Sequence, residues 1–333
     1  MANFSASQAL RLAGKGVWNH IANRPLVVSF EVTLSCNCNC CHCDLGGVIK
    51  DEKQIPPPEY ERITRLLYPP VVQISGGEPL LRRDIVEVVK AVKRPGGLPY
   101  MIFVTNGVLL SENNYLKLCE AGVNQFSVSL DFPDKRHDDF RRHPGLYERL
   151  ERTIPRLAKF GYRNIILNTV ITRSNLGYIL PAAKKALDWG VCISYSAYTS
   201  RRTGSKDYCL DTEAELETLR KAISGLLGLQ KQTNHIVNPP AELRDTLKFF
   251  EQGGYMPGCK AGIRFLVVMP DGAFVPCAHH RQKYSTVKEM IKGFSKANRC
   301  GDCYVSIRAY SDRPLLRQLK DIPAYGRRLF AFR

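Results

Sequence analysis

The chain has 333 residues, of which 44% are hydrophobic and 24% charged, and this composition excludes an intrinsically disordered protein. It contains no apolar run near the roughly 18–20 residues that span a bilayer, and no secretory signal peptide, so we expect a cytoplasmic protein. Its 48 Lys and Arg against 31 Asp and Glu give a net charge of +17. This charge favours an anionic partner: nucleic acid, a phospholipid surface, an acidic peptide or a phosphorylated substrate.

The first predicted element is an amphipathic helix over residues 7–22. Its apolar side chains fall at helical spacing: Leu10, Ala13, Val17, Trp18 and Ile21. Arg11 and Lys15 lie off that face, and the tail from Tyr325 to Arg333 also combines aromatic with basic residues. Either these segments make a peripheral contact with the inner face of an anionic membrane, or they pack on the protein itself. For the helix we favour burial of its apolar stripe against the bottom of the domain.

Strand-like and helical segments alternate through the next part of the chain. Apolar runs predict strands at 26–33, 71–74, 100–104, 125–130, 164–171 and 191–195. Helical patterns separate them at 58–67, 83–93, 112–121, 146–160 and 176–188. This alternation predicts an α/β fold, a partial (β/α)6 TIM-like barrel, because six strands fall short of the eight in a closed barrel.

The pattern changes after the sixth strand. Residues 211–229 predict one more helix, with Asp211 or Thr212 as its N-cap, and Asn238-Pro239-Pro240 then breaks the chain. Further on, Pro270-Asp271-Gly272 between two apolar runs predicts a β-hairpin. We therefore expect an N-terminal helix at 1–25, the barrel at 26–235, and a small α+β domain with the tail at 236–333.

A cysteine-rich loop directly follows the first predicted strand. Cys36, Cys40 and Cys43 form a C-x3-C-x2-C pattern that can wrap three thiolates around one metal cluster. Three ligands to a four-iron cluster leave one iron open, as a reactive site requires. The alternatives are a zinc loop, closed by Cys38, Cys41 or His42, and a redox dithiol.

Three further motifs follow at the ends of later strands. They are Ser75-Gly76-Gly77-Glu78-Pro79, Thr105-Asn106-Gly107, and Ser127-Val128-Ser129-Leu130-Asp131 with His137-Asp138-x-x-Arg141. Together with the cysteine loop, in this order, they resemble the radical S-adenosylmethionine (SAM) superfamily. The departure is His42, which stands where many members have an aromatic residue.

The resemblance implies a role for each matching residue. Cys36, Cys40 and Cys43 would ligate a [4Fe–4S] cluster whose open iron binds SAM. The backbone of Gly76 and Gly77, with the Glu78 carboxylate, would bind the SAM amino group. The other expected contacts are Ser129 to the ribose or carboxylate, Arg141 to the carboxylate and Asn168 to the adenosine. Equally open are satisfied polar residues inside the barrel for Ser129 and Asn168, and a solvated surface charge for Arg141. Cys38 and Cys41 are expected to face away from the cluster.

A second cysteine group lies late in the chain. Cys259, Cys277 and the pair Cys300-x2-Cys303 resemble the C-terminal twitch form of SPASM-type radical SAM enzymes. The resemblance implies a second, auxiliary [4Fe–4S] cluster with four thiolate ligands. A four-cysteine zinc site is the competing interpretation.

The implied activity is reductive cleavage of SAM to a 5′-deoxyadenosyl radical that takes hydrogen from a substrate. The substrate class stays open among a peptide, a small molecule and a lipid. Arg201 with Arg202 would either meet an anionic substrate or be solvated. A flavodoxin or ferredoxin would supply the electron. The alternative from another class is a non-catalytic zinc or Fe–S protein that binds nucleic acid as a regulator.

Overall fold

The structure is a computed structural model that describes residues 5–94 and 97–318. Its centre is an eight-stranded sheet in the order β6-β5-β4-β3-β2-β1-β7-β8. The strands are β1 (Val27–Thr33), β2 (Val71–Gly76), β3 (Tyr100–Thr105), β4 (Gln125–Ser129), β5 (Ile165–Ile171), β6 (Cys192–Ala197), β7 (Phe265–Val268) and β8 (Phe274–Val275). Strands β1 to β6 pair in parallel, in sequence order. The predicted partial six-stranded barrel is confirmed.

Helices lie between successive parallel strands, as βα crossovers require, and further helices precede β1 and follow β8. They are α1 (Ala6–Ile21), α2 (Pro57–Leu67), α3 (Ile85–Val92), α4 (Glu112–Ala121), α5 (Arg136–Arg141), α6 (Leu146–Ala158), α7 (Ile179–Asp188), α8 (Glu213–Gln232), α9 (Pro240–Glu251), α10 (Val287–Met290) and α11 (Ser306–Ser311). Thr212 caps α8 in a capping box with Glu215, as the sequence predicts. Short 3-10 turns occupy Pro79–Leu81 and Arg173–Tyr178.

The two faces of the sheet differ in character. Along β5, buried Leu167, Thr169 and Ile171 alternate with half-buried Ile166 and Asn168. The buried set belongs to the main hydrophobic core beneath the helices, and the other set faces the inside of the partial barrel. Since all six parallel strands end at one edge, the loops that follow them gather at that edge. This edge is where a site is expected.

The N-terminal helix packs with a face other than the predicted one. Ser5 and Gln8 form its capping box, and buried Asn19 donates to the Pro25 and Tyr68 carbonyl oxygens. Leu12 packs on the cluster at the amino ends of the strands. Of the predicted stripe, Ala13 and Val17 are half-buried, whereas Leu10, Trp18 and Ile21 point outward and are exposed by 75%, 60% and 66%. The helix does cap the barrel bottom, but the expectation that its apolar stripe is buried there is wrong.

The C-terminal region continues the same sheet. Strand β7 pairs in parallel with β1, and the hairpin β7–β8 forms across the predicted turn, where Gly272 has φ +87°. Ile236 bridges to Ile193 beside β6. The predicted boundary at 235/236 stays a prediction, and the tail beyond Gln318 lies outside the described residues. Over the described ranges, none of the helices has both the length and the hydropathy of a membrane span.

Candidate active site

The first cysteine loop lies at the carboxyl end of β1. The Cys36 amide donates to the Gly47 carbonyl oxygen (2.9 Å), which closes the loop, and the Cys41 amide donates to that of Phe140 (3.0 Å). Cys36 and Cys40 are each 7% exposed, and Cys43 is half-buried. The loop is therefore held against the end of α5, with its thiols sheltered from water.

The two remaining cysteines of the loop behave differently from each other. Cys41 points towards the backbone of α5, where its thiol donates to the Asp139 carbonyl oxygen (3.7 Å). Cys38 instead lies between Cys36 and Cys40 and hydrogen-bonds both thiols. The expectation that Cys38 faces another direction is wrong, because the compact loop brings every second side chain to the same side.

The thiols of the loop differ in acidity. The hydrogen bond from Cys38 lowers the pKa of Cys36 to about 6, with help from Asn106, whose amide lies 3.7 Å from the Cys36 sulfur. The same partner lowers the pKa of Cys40 to about 7, and Arg141 contributes. Burial raises the pKa of Cys43. Cys36 and Cys40 are thus prepared to act as thiolates, the form that binds metal.

The thiols of Cys36, Cys40 and Cys43 are chemically suited to bind a metal cluster. The loop carries three thiols that are sheltered from water, and thiolate ligands suit Fe–S clusters. Within residues 5–94 and 97–318, no three Cys, His, Asp or Glu side chains converge closely enough to hold a metal ion. Binding a cluster there would require the loop to tighten around it, a coupling that is common in metal sites.

The glycine loop after β2 lies directly against the cysteine loop. The Gly77 amide donates to the Thr33 carbonyl oxygen (2.8 Å) and the Glu78 amide to that of Ser35 (2.9 Å). A Cβ on Gly76, whose φ is +125°, would overlap the Thr33 oxygen, and one on Gly77 would overlap the Ser35 oxygen. Only glycine allows this approach of two backbones.

Glu78 is fully buried and joins two loops. Its carboxylate accepts from the Asn106 amide (2.7 Å), from the Thr105 hydroxyl (2.9 and 3.0 Å) and from the Leu80 amide (3.1 Å). Burial raises its pKa to about 7, although these donors favour the charged form. The structure thus gives Glu78 a role in holding the loops after β2 and β3 together. The contact of its carboxylate with SAM stays a prediction.

Arg141 lies in a buried ion pair. Its guanidinium donates to Asp131 (2.7 Å from Nε), and its Nη1 is 3.7 Å from the Cys40 sulfur. Burial alone would raise the pKa of Asp131, but Arg141 holds it below its ordinary value. The alternative that Arg141 is a solvated surface charge is wrong, whereas its neighbour Arg142 is exposed. Whether Arg141 binds SAM stays a prediction.

The polar residues on β4 and β5 lie side by side inside the barrel. Ser129 pairs in register with Asn168, and the Asn168 amide donates to the Ser194 hydroxyl on β6 (2.8 Å). All three are half-buried. They form a polar strip on the inner face, and their contacts with SAM stay predictions.

The four late cysteines line one cavity of about 190 Å³. Its other walls are apolar side chains such as Phe265 and Phe294, and polar side chains from the inner faces of β1 and β2. Burial raises the pKa of Cys259 to about 11 and of Cys277 to about 12, and it also raises the pKa of Cys303. The structure therefore places Cys259, Cys277, Cys300 and Cys303 around one cavity, and their role as ligands of one metal cluster stays a prediction.

Arg201 and Arg202 connect the two cysteine groups. Arg202 pairs with Asp44, next to Cys43, and Arg201 pairs with Asp302, which lies between Cys300 and Cys303. Both arginines line the cavity. The basic pair singled out in the sequence thus lies between the two candidate cluster sites.

Sequence reasoning missed several residues of the cavity. Ser29 and Glu31 on β1, and Gln73 and Ser75 on β2, face it from the inner side of the sheet. Glu31 is 4% exposed and pairs with Arg281 (3.3 Å). A signal was present, because these polar residues recur at alternate positions in strands that are otherwise apolar.

Comparison with known proteins agrees with this geometry. Residues 30–186 match the family model of the radical SAM superfamily. An AdoMet-dependent heme synthase of Methanosarcina barkeri is 28% identical over 283 residues, which cover 78% of each chain. A probable GTP 3′,8-cyclase of Methanothermobacter marburgensis is 33% identical over 159 residues, 46% of this chain and 51% of the cyclase. The alignment thus spans about half of that relative.

Solved structures share the fold. Streptococcus suis SuiB bound to S-adenosylmethionine superposes with a TM-score of 0.60 at 18% identity, over 93% of this chain and 72% of that one. The parallel partial barrel with a cysteine loop after β1 defines a radical SAM domain. Residues 30–186 carry this domain, and the chain is an enzyme whose cofactors are a [4Fe–4S] cluster and SAM.

Proposed function

We propose that this enzyme cleaves SAM reductively at a cluster held by Cys36, Cys40 and Cys43. The observation that carries this proposal is the contact between two loops at the carboxyl edge of the sheet. The loop with the acidified thiols of Cys36 and Cys40 lies against the Gly76–Gly77 backbone, which is free of side chains. A metal-binding surface and a backbone surface for a small ligand are thereby adjacent.

Cys36, Cys40 and Cys43 would hold the cluster, and with one electron from the external donor the bound cofactors would supply reductive cleavage of SAM to methionine and a 5′-deoxyadenosyl radical able to abstract hydrogen. The chain's own residues position and shelter the reactants. Glu78 fixes the loop after β2 through the Asn106 amide. Arg141 places a positive charge 3.7 Å from the Cys40 sulfur, where it offsets the charge of a thiolate-bound cluster. Ser129 and Asn168 offer polar groups for the nucleoside on the inner face.

The late cysteines are proposed to hold an auxiliary [4Fe–4S] cluster. Support comes from their common cavity and from its apolar wall, which suits a fully ligated, buried cluster. Their raised thiol pKa values mean that they bind metal only with loss of the protons that they otherwise retain. Zinc with four thiolates is the competing occupant, and metal analysis distinguishes the two.

The substrate is proposed to be a small molecule with an anionic group, bound beside the auxiliary cluster at the side of the cavity that Arg201, Arg202 and His279 line. Among the described residues, Arg202 Nε, Arg281 Nη2 and His279 Nδ1 are buried without a hydrogen-bond partner. Arg202 and His279 line the cavity, and Arg281 reaches it through Glu31. The two arginine N–H groups would acquire acceptors when a carboxylate or phosphate binds. The relatives named for heme synthesis and GTP cyclisation favour a small molecule over a peptide.

The direct test of the activity is formation of 5′-deoxyadenosine. The anaerobically reconstituted protein is incubated with SAM and dithionite, which replaces the proposed flavodoxin or ferredoxin donor. We expect product from wild type and from Cys209→Ala, and none from Cys36→Ala. Equal product from Cys36→Ala would refute the proposal. Salt-sensitive binding to nucleic acid with no SAM cleavage would favour the regulator instead.

The anionic-substrate proposal has its own test in the same assay. A metabolite extract is separated on an anion-exchange resin, and the retained fractions are added to the reaction. We expect retained fractions to stimulate SAM cleavage by wild type and by Arg142→Gln, but not by Arg202→Gln. Stimulation confined to the unretained fraction would reject an anionic substrate without affecting the SAM chemistry.

A further inference from the structure

The exposed face of α1 is the most apolar surface feature outside the site. Leu10, Trp18 and Ile21 fall within an arc of about 80° on the helix, on the side opposite buried Asn19. We call these three residues the α1 patch. Of the eleven large hydrophobic side chains exposed in the described part of the chain, five lie on α1 or at the end of α2: Leu10, Trp18, Ile21, Leu66 and Tyr68.

The two helices form one continuous surface. Asn19 donates to the Tyr68 carbonyl oxygen (3.1 Å), Arg24 donates to that of Leu66 (3.2 Å), and the Lys15 ammonium lies 3.5 Å from the centre of the Tyr68 ring. Packing inside the protein therefore leaves the outer side of both elements uncovered.

The charge around the α1 patch has one sign. Arg11, Lys15 and Arg24 flank the patch, and no acidic residue occurs before Glu31 in the sequence. The Arg94 guanidinium also lies over the Tyr68 ring, 4.5 Å from its centre. The acidic residues of α2, Glu59 and Glu61, are each paired with an arginine of the same helix. An apolar strip with an unopposed basic border is typical of a helix that lies on an anionic bilayer.

We propose that the α1 patch docks this enzyme on an anionic phospholipid surface. Exposed indole and aliphatic side chains insert at the level of the headgroups, and the flanking cations pair with lipid phosphates. The geometry leaves the active site open, because α1 packs at the amino ends of the strands and the cysteine loop lies at their carboxyl ends. This docking is independent of the SAM chemistry.

Trp18 provides the signal for the test. The chain has two tryptophans, and the other, Trp189, is 6% exposed. In a Trp189→Phe background, Trp18 fluorescence is recorded with vesicles of phosphatidylcholine, with and without phosphatidylglycerol, and binding is measured by co-sedimentation. We expect a blue shift and binding with the anionic vesicles alone, both weakened by salt.

Variants of α1 show which side chains contact the vesicle surface. Leu10→Ser with Ile21→Ser should lower binding about tenfold or more, because apolar side chains lose their burial in the bilayer. Lys15→Gln with Arg24→Gln should weaken binding to anionic vesicles specifically. Leu187→Ser, an exposed leucine on α7, is the matched control and should bind as wild type. Lys15 is half-buried and the other four side chains are exposed, so iron content and circular dichroism should stay unchanged.

Three results would overturn the proposal. They are no binding by wild type, equal binding by the Leu10/Ile21 variant, and equal binding to vesicles without phosphatidylglycerol. Preference for an acidic polypeptide such as polyglutamate over vesicles would assign the same face to a protein partner instead, and would also reject the lipid.

Discussion

The ion pair between Arg141 and Asp131 sets the charge beside the first cysteine loop. Asp131 is fully buried, so its carboxylate depends on Arg141 for compensation. It also accepts from the Val170 amide (3.1 Å), which joins it to β5. A single residue pair thus connects the end of β4, the end of α5 and the Cys40 thiol.

Removing the Arg141 guanidinium should destabilise the fold. We expect Arg141→Ala to lower the free energy of unfolding by about 3–5 kcal/mol, because it leaves a buried carboxylate without a partner. The adjacent and exposed Arg142→Ala should change it by no more than about 0.5 kcal/mol. Urea unfolding under anaerobic conditions measures both. Similar values for the two variants would mean that Asp131 is compensated in another way.

The lowered pKa of Lys15 predicts a pH dependence of the free energy of unfolding. Burial, with Arg24 and Arg94 nearby, lowers its pKa to about 8, against 10.5 for a free lysine. Between these values the unfolded chain binds one more proton than the folded one, so this residue makes stability rise with pH from about 8 to 10.5. Lys15→Met should reduce that rise in urea unfolding at a series of pH values. An unchanged slope in Lys15→Met would show that Lys15 titrates normally.

At the scale of the elements, the loop after β2 depends on glycine geometry. Gly76 combines a positive φ with a Thr33 carbonyl oxygen in the space of its Cβ. Gly161 has a positive φ of +74° but open space around it, which makes it a matched control. Gly161 controls for a positive φ in general, whereas an added effect at Gly76 reports its wider φ of +125° together with the Thr33 contact.

We expect Gly76→Ala to separate the two loops and to abolish tight SAM binding. Gly161→Ala should cost about 1–2 kcal/mol of stability from backbone strain and leave SAM binding unchanged. Equilibrium dialysis with labelled SAM on the reconstituted protein measures the effect. If both variants bind SAM as wild type does, the glycine loop is not part of the binding surface.

The strands were predictable from sequence, and the orientation of some side chains was not. Buried parallel strands give continuous apolar runs, so the bounds of β1 to β6 agree with the prediction to within two residues. Helical periodicity also located α1, but it could not say which face packs. The barrel contacts Leu12 and Asn19, and the stronger apolar stripe stays exposed.

The site was predictable as a set of loops because its motifs follow strand ends. The sequence could not show that Glu78 bonds the Asn106 amide or that Cys38 lies between two ligand candidates. Both arrangements depend on how loops from different strands meet, and spacing within one loop does not contain that information.

At the scale of the whole molecule, the two cysteine groups are separate but linked. Arg202 pairs with Asp44 in the first loop, and Arg201 pairs with Asp302 in the last. We expect Cys300→Ala with Cys303→Ala to remove the auxiliary cluster and to leave the first cluster able to bind SAM. Loss of all iron in this variant would mean that the two sites form only together. Iron analysis and the electron paramagnetic resonance spectrum with and without SAM distinguish the two results.

We propose that Cys36, Cys40 and Cys43 hold one cluster and that the late cysteines hold another. Iron, sulfide and zinc per chain are measured after anaerobic reconstitution for wild type, for Cys36/Cys40/Cys43→Ala, and for Cys41→Ala as the control. We predict about eight irons in wild type and in the control, and about four in the triple variant. Negligible iron with bound zinc, or iron that does not fall in the triple variant, would contradict the claim.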